Sequence, residues 1–192
     1  MDLYVRQKRN SGLEGFGIMH VILASYVRMV SQRPRINRFI SGQKIFARPK
    51  IEVNMAVKKK LCENSTETVI KIVFEQTDTA EDVFNRFEDA LKEAFAADEN
   101  GRDGTARIIN YIPGLVKKFA IWLLKLLDYF GLVPLVLLKV SPFHGSMFIT
   151  SMGSLGIPPI FHHLYNFGNV TVFMAFGAKR YDNQINDLGA AQ

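Results

Sequence analysis

The chain has 192 residues, of which 48% are hydrophobic and 22% are charged. This length and balance suit one globular domain with a substantial core, and they exclude intrinsic disorder over most of the chain. The 15 phenylalanines indicate a core rich in aromatic contacts.

Positive charge is concentrated in the first third of the sequence. The whole chain carries a formal charge of +6, whereas residues 1–60 hold 13 basic against three acidic side chains, a net charge of +10. Such a segment suits a nucleic acid, an anionic membrane, a phosphorylated ligand or simply solvent. No nucleic-acid partner is expected, because the basic residues lie in patterned segments rather than in a compact cluster.

Cysteine usage and the amino-terminal residues indicate a cytoplasmic protein. Cys62 is the only cysteine, which excludes an internal disulfide and favours a reducing compartment. The residues after Met1 are charged and lack the apolar stretch of a secretory signal. Cys62 is also a poor candidate nucleophile, because it follows three lysines at residues 58–60 and has no histidine nearby in sequence.

Periodic segments fill the first part of the chain. Apolar residues recur at helical spacing over residues 17–32 and predict a helix, in which His20 is expected to be a packed side chain. Residues 41–43 mark a turn between short extended runs. Residues 51–57 and 67–76 alternate in hydrophobicity, which predicts two strands of an antiparallel hairpin.

A further helix is expected over residues 80–97, with Thr79 and Asp82 as its capping box. Its apolar side chains form one stripe, which we expect to pack against a sheet. The stripe comprises Val83, Phe84, Phe87, Leu91, Ala94 and Phe95. Residues 98–104 are polar and rich in glycine, and they form the clearest loop in the sequence.

Residues 107–140 are the most hydrophobic part of the sequence. The uncharged run at residues 129–138 is much shorter than the about 20 residues that a membrane span needs. We expect two helices instead, one at about residues 113–130 and a short one after Pro134. Burial in the core or in a subunit contact is favoured. Binding of this segment to a membrane surface is the alternative, and Trp122 with the nearby lysines supports it.

Residues 146–179 place unusual polar side chains in apolar surroundings. Residues 146–151 alternate as a strand, and Gly153 and Gly156 then allow a tight backbone path. Residues 170–176 are almost all apolar or β-branched, which predicts a strand buried on both faces. We expect half of a functional site in this stretch.

Strands interleaved with helices predict an α/β fold, a two-layer sandwich with a mixed β-sheet. One domain is expected over residues 1–180, and the polar residues 181–192 are expected to be a poorly ordered tail. Common phosphate-binding, dinucleotide-binding and zinc-binding motifs are absent from the sequence. His162 and His163 are adjacent, so they point to opposite sides of an extended chain, and no metal is expected there.

Several short motifs, in their order and spacing, carry a resemblance to a known family. They are P-x-x-N followed by A-V within residues 34–57, N-R-F at 37–39, S-P-F-H at 141–144, ITSMGSLGI at 149–157, H-H-L-Y-N-F-G at 162–168 and VTVFMAFGAKR at 170–180. The chain resembles the chloramphenicol-acetyltransferase-like family, which includes the dihydrolipoyl acyltransferase catalytic domains of 2-oxoacid dehydrogenase complexes. It is most similar to the compact stand-alone bacterial members, and the resemblance covers roughly residues 13–180.

The resemblance implies coenzyme A-dependent acyl transfer to a thiol or hydroxyl of a small-molecule acceptor. In the family a histidine takes the acceptor's proton, and a serine or threonine hydroxyl donates a hydrogen bond to the oxyanion. The match to the family's I-S-N-L-G block assigns that hydroxyl to Thr150, which suits a donor held at the end of a strand. The alternative is a threonine bonded to a neighbouring strand. The resemblance also implies a homotrimer with acyl-coenzyme A as co-substrate, no tightly bound cofactor and no assigned residue for coenzyme A.

The family's general base is absent from this sequence. The base lies in H-x-x-x-D-G, and no histidine here is followed four residues later by aspartate. His163 is not assigned this role, because Phe167 stands where the aspartate would be. The chain therefore resembles the middle of the family's domain with both ends trimmed, and we expect feeble acyl transfer or none. The alternatives are a non-catalytic binding or oligomer-assembly protein of the same fold and, less favoured, a peripheral membrane protein using residues 111–140.

Overall fold

The structure is a computed structural model that describes residues 1–58, 67–99, 113–164 and 167–179. Three features of the sequence analysis lie wholly or mostly outside these residues. They are Cys62, all but the first two residues of the loop expected at 98–104, and the tail at 181–192.

The described residues form five α-helices and six strands. In chain order these are α1 Asp2–Asn10, α2 Ile18–Gln32, β1 Arg38–Ser41, β2 Lys44–Ala47, β3 Ile51–Lys58, β4 Glu67–Phe74, α3 Ala80–Glu99, α4 Gly114–Tyr129, α5 Leu135–Val140, β5 Met147–Ser151 and β6 Val172–Phe176. Short 3-10 turns occupy Pro34–Asn37 and Gly153–Leu155. The helices and strands expected from sequence periodicity are confirmed, with ends that differ by at most two residues.

Four strands form one mixed sheet in the order β4-β3-β5-β6. Strands β3 and β4 are antiparallel, as the predicted hairpin requires, whereas β3 with β5 and β5 with β6 are parallel. Strands β1 and β2 form a separate antiparallel hairpin whose turn contains Gly42 and Gln43. The prediction of an α/β fold with a mixed sheet is therefore confirmed.

Helices α2 and α3 pack on one face of this sheet and enclose the main core. Because side chains alternate along a strand, every second residue of each strand points into this core. The sheet contributes Ile51, Val53, Met55, Ile70, Ile72, Phe74, Met147 and Ile149, and the helices contribute Leu23, Tyr26, Val27, Val30, Val83 and Phe87. The apolar stripe predicted for α3 is thus the face that packs on the sheet.

Helix α3 begins at the capping box that the sequence predicts. The backbone N–H and the hydroxyl of Thr79 donate to the Asp82 carboxylate over 2.9 and 2.6 Å, and the Asp82 N–H donates to the Thr79 hydroxyl oxygen over 3.3 Å. The hydrogen bonds from Thr79 hold the pKa of Asp82 below its usual range. These bonds satisfy backbone groups that the first helical turn leaves without partners.

Strand β6 corrects one expectation. The sequence predicts a strand buried on both faces, but every residue of Val172–Phe176 is only half-buried. The strand pairs with β5 on one side, and no other described strand pairs with its outer edge. An apolar run indicates a strand but does not determine how many neighbours that strand has.

Helix α4 corrects a second expectation, since none of its residues is buried. Its apolar composition predicts burial in the core or in a subunit contact, and burial in the core of this chain is wrong. The large apolar side chains of α4 are exposed along most of its length. Within the described part of the chain, no helix has the length and apolar character that crossing a membrane requires.

Candidate functional site

A large cavity of about 1100 Å³ lies at the carboxyl ends of β3 and β5. Its apolar walls come from helices α2 and α3, strands β3 to β6 and the segments before and after β5. These walls include Met19, Met55, Val57, Val69, Phe87, Leu91, Phe95, Phe143, Phe148, Met152, Leu155, Leu164, Phe167, Val170 and Phe173. Few polar side chains interrupt this lining, which is typical of a pocket for an apolar ligand.

Thr150 lines this cavity near the end of β5. Its side chain is buried, with 6% of the residue exposed. No hydrogen bond joins the Thr150 side chain to another described residue, so the hydroxyl does not bridge to the described neighbouring strands. The hydroxyl is therefore a hydrogen-bond donor available to a ligand in the cavity.

The packing of β5 fixes the position of Thr150. Met147 and Ile149 are fully buried in the core, and alternation along the strand places Phe148 and Thr150 on the opposite face of the sheet. The Phe148 ring is stacked on that of Phe173, with 5.5 Å between centroids and an interplanar angle of 4°. A strand held by two parallel neighbours and by side chains on both faces positions the hydroxyl rigidly.

The chain after β5 is attached to the end of β6. The Met152 N–H donates to the Phe176 carbonyl over 2.8 Å, and the Ala178 N–H donates to the Ile157 carbonyl over 2.8 Å. Gly156 ends the intervening 3-10 turn with a φ of +70°, a conformation that favours glycine. The glycine-rich loop predicted from the sequence therefore forms one border of the cavity.

His162 and His163 line the same cavity as Thr150. The His162 ring is half-buried, 5.1 Å from the Phe173 ring, and its Nε2 atom is buried without a hydrogen-bond partner among the described residues. His163 is exposed. In the described parts of the chain, no group of three or more histidine, cysteine, aspartate or glutamate residues is arranged to hold a metal ion.

A buried polar cluster joins the sheet to the segment that leads into β5. The Lys71 Nζ donates to the carbonyl oxygens of Leu138 and His144, each over 2.8 Å, and lies 3.9 Å from the Glu52 carboxylate. Asn54 is fully buried, and its amide donates to the same His144 carbonyl over 3.3 Å. Burial lowers the pKa of Lys71.

Sequence reasoning did not select this cluster, although its signal was present in the strand pattern. Glu52 and Asn54 alternate with core residues on β3, and Lys71 alternates with core residues on β4. Polar residues at every second position of paired strands indicate a common polar face. The carbonyl groups that this face binds come from a distant part of the sequence.

Arg48 attaches the segment after residue 166 to the β1–β2 hairpin. Its guanidinium donates to the backbone and side-chain oxygens of Asn169 over 2.9 and 2.6 Å and lies 4.2 Å from the centre of the Phe39 ring. The Asn169 N–H in turn donates to the Phe143 carbonyl over 2.9 Å. Burial lowers the pKa of Arg48. These contacts hold Gly168 and its neighbours against the cavity.

Ser141, His144 and Asp128 form a hydrogen-bonded series outside the large cavity. The Ser141 Oγ lies 2.8 Å from the His144 Nδ1, and the His144 Nε2 lies 3.1 Å from the Asp128 Oδ1. The Ser141 Oγ also accepts the Phe143 N–H over 3.3 Å, as a turn-stabilising hydroxyl does. Ser141 does not line the large cavity. The series therefore links the end of α4 to the sheet rather than supplying a nucleophile to the cavity.

Comparisons with known proteins give no family for the chain. No protein-family model matches it, and neither does any curated protein.

The cavity suits a ligand with an apolar body and a hydrogen-bond acceptor. Its described lining holds the hydroxyls of Thr150 and Ser151 and two imidazoles but no carboxylate and no lysine or arginine. A histidine that removes protons is usually oriented by a carboxylate or another fixed acceptor. Thus the described cavity offers a donor for a carbonyl oxygen without a carboxylate to orient either histidine.

Proposed function

We propose that the chain has the chloramphenicol-acetyltransferase-like fold and binds an acyl-coenzyme A, whose acyl group occupies the large cavity. The Thr150 hydroxyl donates a hydrogen bond to the thioester oxygen. Acyl transfer to a thiol or hydroxyl acceptor is slow or absent in this chain. The observation that carries the proposal is Thr150, a buried residue that lines an apolar cavity and whose hydroxyl has no hydrogen-bond partner among the described residues.

The Thr150 hydroxyl contributes to ligand binding through one hydrogen bond. Because the hydroxyl faces the cavity, a hydrogen bond from it to a ligand oxygen replaces one to water and contributes about 0.5–1.5 kcal/mol. The same donor stabilises the negative charge that develops on a thioester oxygen under attack, provided that its position is fixed beforehand. The parallel pairing of β5 with β3 and β6 supports such a fixed position.

The absence of an oriented base explains why we propose little turnover. The sequence contains no H-x-x-x-D motif, and the described cavity lining contains no carboxylate to orient His162 or His163. Loss of a general base typically lowers a rate by about 10²–10⁴-fold. Binding of the thioester does not require the base, so binding and turnover separate in this chain.

The experiment measures binding and turnover together. Titration calorimetry with acetyl-coenzyme A compares the wild-type chain with Thr150→Val, which keeps the side-chain shape, and Thr150→Ser, which keeps the hydroxyl. We expect about a fivefold weaker affinity for Thr150→Val, since one neutral hydrogen bond contributes about 1 kcal/mol, and near wild-type affinity for Thr150→Ser. Thr77→Val, at an exposed turn position, is the matched control.

Three results would contradict parts of this proposal. If acetyl-coenzyme A does not bind to the wild-type chain, the proposed ligand is wrong. If Thr150→Val binds it with wild-type affinity, the proposed role of the hydroxyl is wrong. Rapid acetyl transfer from acetyl-coenzyme A to dihydrolipoamide or chloramphenicol would contradict the claim that the general base is missing. Thermal unfolding of each variant checks that the fold is retained.

A second candidate function is a non-catalytic protein that assembles into a homo-oligomer, with a trimer as the form that the family resemblance implies. It is favoured by β6, whose outer edge pairs with no described strand. Exposed strand edges are sites at which chains add to one another. Light scattering of the purified chain distinguishes the candidates, because a monomer that binds acetyl-coenzyme A contradicts assembly and retains the first function.

A further inference from the structure

Helix α4 presents a continuous apolar stripe to solvent. The stripe consists of Leu115, Phe119, Trp122, Leu126 and Tyr129, which are spaced four, three, four and three residues apart and so lie on one side of the helix. Leu115, Phe119 and Trp122 are 82%, 60% and 56% exposed. Large apolar side chains aligned in this way differ from the scattered exposed residues of an ordinary surface.

Further exposed apolar side chains follow the stripe in sequence. Phe130, Leu132 and Val136 follow it in the turn and in α5, and all three are exposed. Together with the stripe they form what we call the α4 surface. An exposed apolar area of this extent marks an interaction site in a folded protein.

Lysines border the α4 surface. Lys118 and Lys125 are exposed, lie next to the stripe around the helix, and form no ion pair with a described residue. Lys117 is half-exposed and lies on the opposite side of the helix. Asp128 is the one acidic residue of α4, and its carboxylate contacts the His144 ring at 3.1 Å. The charge beside the apolar stripe is therefore positive and is not offset within the helix.

We propose that the α4 surface docks onto an anionic lipid bilayer, with α4 lying in the plane of the interface. The apolar stripe enters the boundary between headgroups and acyl chains, and the lysines contact lipid phosphates. Interfacial helices combine these two features, with lysine on the polar side and tryptophan, phenylalanine and leucine on the other. Anionic headgroups supply the opposite charge that the lysines lack within the chain.

A second copy of the chain is a poorer occupant of the same surface. In an antiparallel pair of α4 helices centred on Trp122, Lys118 of one copy lies beside Lys125 of the other. A parallel pair leaves these lysines next to apolar residues, since the stripe contains no acidic side chain. Self-association would therefore bury the apolar area at the expense of repelling or isolating the positive charges.

The experiment uses vesicles and the single tryptophan of the chain. Co-sedimentation compares vesicles of phosphatidylcholine alone with vesicles of equimolar phosphatidylcholine and phosphatidylglycerol, at low and high salt. We expect binding to the anionic vesicles that weakens with salt, together with a blue shift of the Trp122 emission, since Trp122 is the only tryptophan.

Two pairs of variants separate the two contributions. Combined Lys118→Gln and Lys125→Gln is expected to weaken partitioning onto anionic vesicles about thirtyfold. The matched control changes two exposed basic residues elsewhere, Arg28→Gln and Lys92→Gln. Combined Phe119→Ser and Trp122→Ser is expected to cause a similar loss. Ile40→Ser and Ile45→Ser, at exposed positions of the β1–β2 hairpin, are its control.

Three results would overturn the proposal. The first is no binding to the anionic vesicles, and the second is equal losses in the variants and their controls. The third is a blue shift of the Trp122 emission that grows with protein concentration in the absence of lipid, which would assign the α4 surface to a second copy. None of these results bears on the binding of acetyl-coenzyme A.

Discussion

The Lys71 ammonium group lies 2.8 Å from the carbonyl oxygen of His144, which accepts a hydrogen bond from it. This bond joins β4 to the segment that precedes β5, although 73 positions separate the two residues in sequence. The segment contributes Pro142 and Phe143 to the large cavity and leads directly to Thr150. The position of the candidate site thus depends on a half-buried cation two strands away.

Replacement of Lys71 by methionine should destabilise the fold and loosen the entrance to β5. The methionine keeps the apolar stem but leaves two carbonyl groups without their charged donor, which is expected to lower the unfolding free energy by about 2 kcal/mol. Urea unfolding measures this value. Lys92→Met on the exposed side of α3 is the control and should change it by less than about 0.5 kcal/mol. A loss no larger than that of the control would contradict the role assigned to Lys71.

The contact between His144 and Asp128 should hold the end of α4 to the body of the protein. The His144 side chain is buried and that of Asp128 is half-buried. Their hydrogen bond is therefore partly shielded from solvent. A double-mutant cycle of His144→Ala and Asp128→Ala is expected to give a coupling energy of about 1 kcal/mol. Amide hydrogen exchange in the last turns of α4 should become faster in both single variants. Strictly additive effects would show that the two residues act independently.

The elements that the sequence predicted well are those decided by local patterns. The stripe of α3 and its Thr79–Asp82 cap, and the alternation of β3 and β4, depend on spacing within a few residues, and the structure confirms them. His20, expected to be a packed side chain, is buried among aromatic rings.

The elements that the sequence predicted poorly depend on distant neighbours. The apolar runs of β6 and α4 indicated burial, but what covers a strand edge or a helix face is decided by other parts of the chain. The same limit applies to the candidate site. Thr150, His162 and His163 could be found in one stretch, whereas Met55 and Phe87 join the cavity only through the order of strands in the sheet.

Tyr26 should lose its hydroxyl proton at a higher pH than an ordinary tyrosine. Its hydroxyl donates to the Ser146 carbonyl over 3.1 Å inside the core, and burial raises its pKa to about 12. The unfolded chain loses this proton near pH 10, so the contribution of Tyr26 to stability is complete below about pH 10 and falls as the pH rises toward about 12.

Phenolate absorbance after rapid pH jumps checks this expectation. The ionisation step near pH 12 should be absent from Tyr26→Phe and present in the control Tyr4→Phe, which changes an exposed tyrosine. At neutral pH the loss of one buried hydrogen bond should lower the unfolding free energy of Tyr26→Phe by about 1 kcal/mol. If an ionisation step at this high pH persists in Tyr26→Phe, it belongs to another tyrosine.

His20 should make the fold less stable in mild acid. The residue is 5% exposed, and its ring lies 5.3, 5.0 and 4.8 Å from the rings of Phe16, Phe84 and Phe87. Burial lowers its pKa. The unfolded chain therefore binds a proton at this histidine near pH 6.5 while the folded chain does not, and the unfolding free energy falls as the pH decreases through that range.

The surroundings of the ring determine which variant isolates this effect. The Gly17 N–H donates to the His20 Nδ1 over 3.0 Å, and Nε2 has no hydrogen-bond partner among the described residues. His20→Phe preserves the aromatic packing and removes the group that titrates, at the loss of the bond from Gly17. We expect it to lie within about 1 kcal/mol of the wild-type chain at pH 7.5. When the pH is lowered from 7.5 to 5, its unfolding free energy should fall by less than that of the wild-type chain.

His163→Gln, at an exposed position, is the control and should retain the wild-type pH dependence of the unfolding free energy. If His20→Phe and the wild-type chain lose equal stability between these pH values, the acid sensitivity arises at another residue.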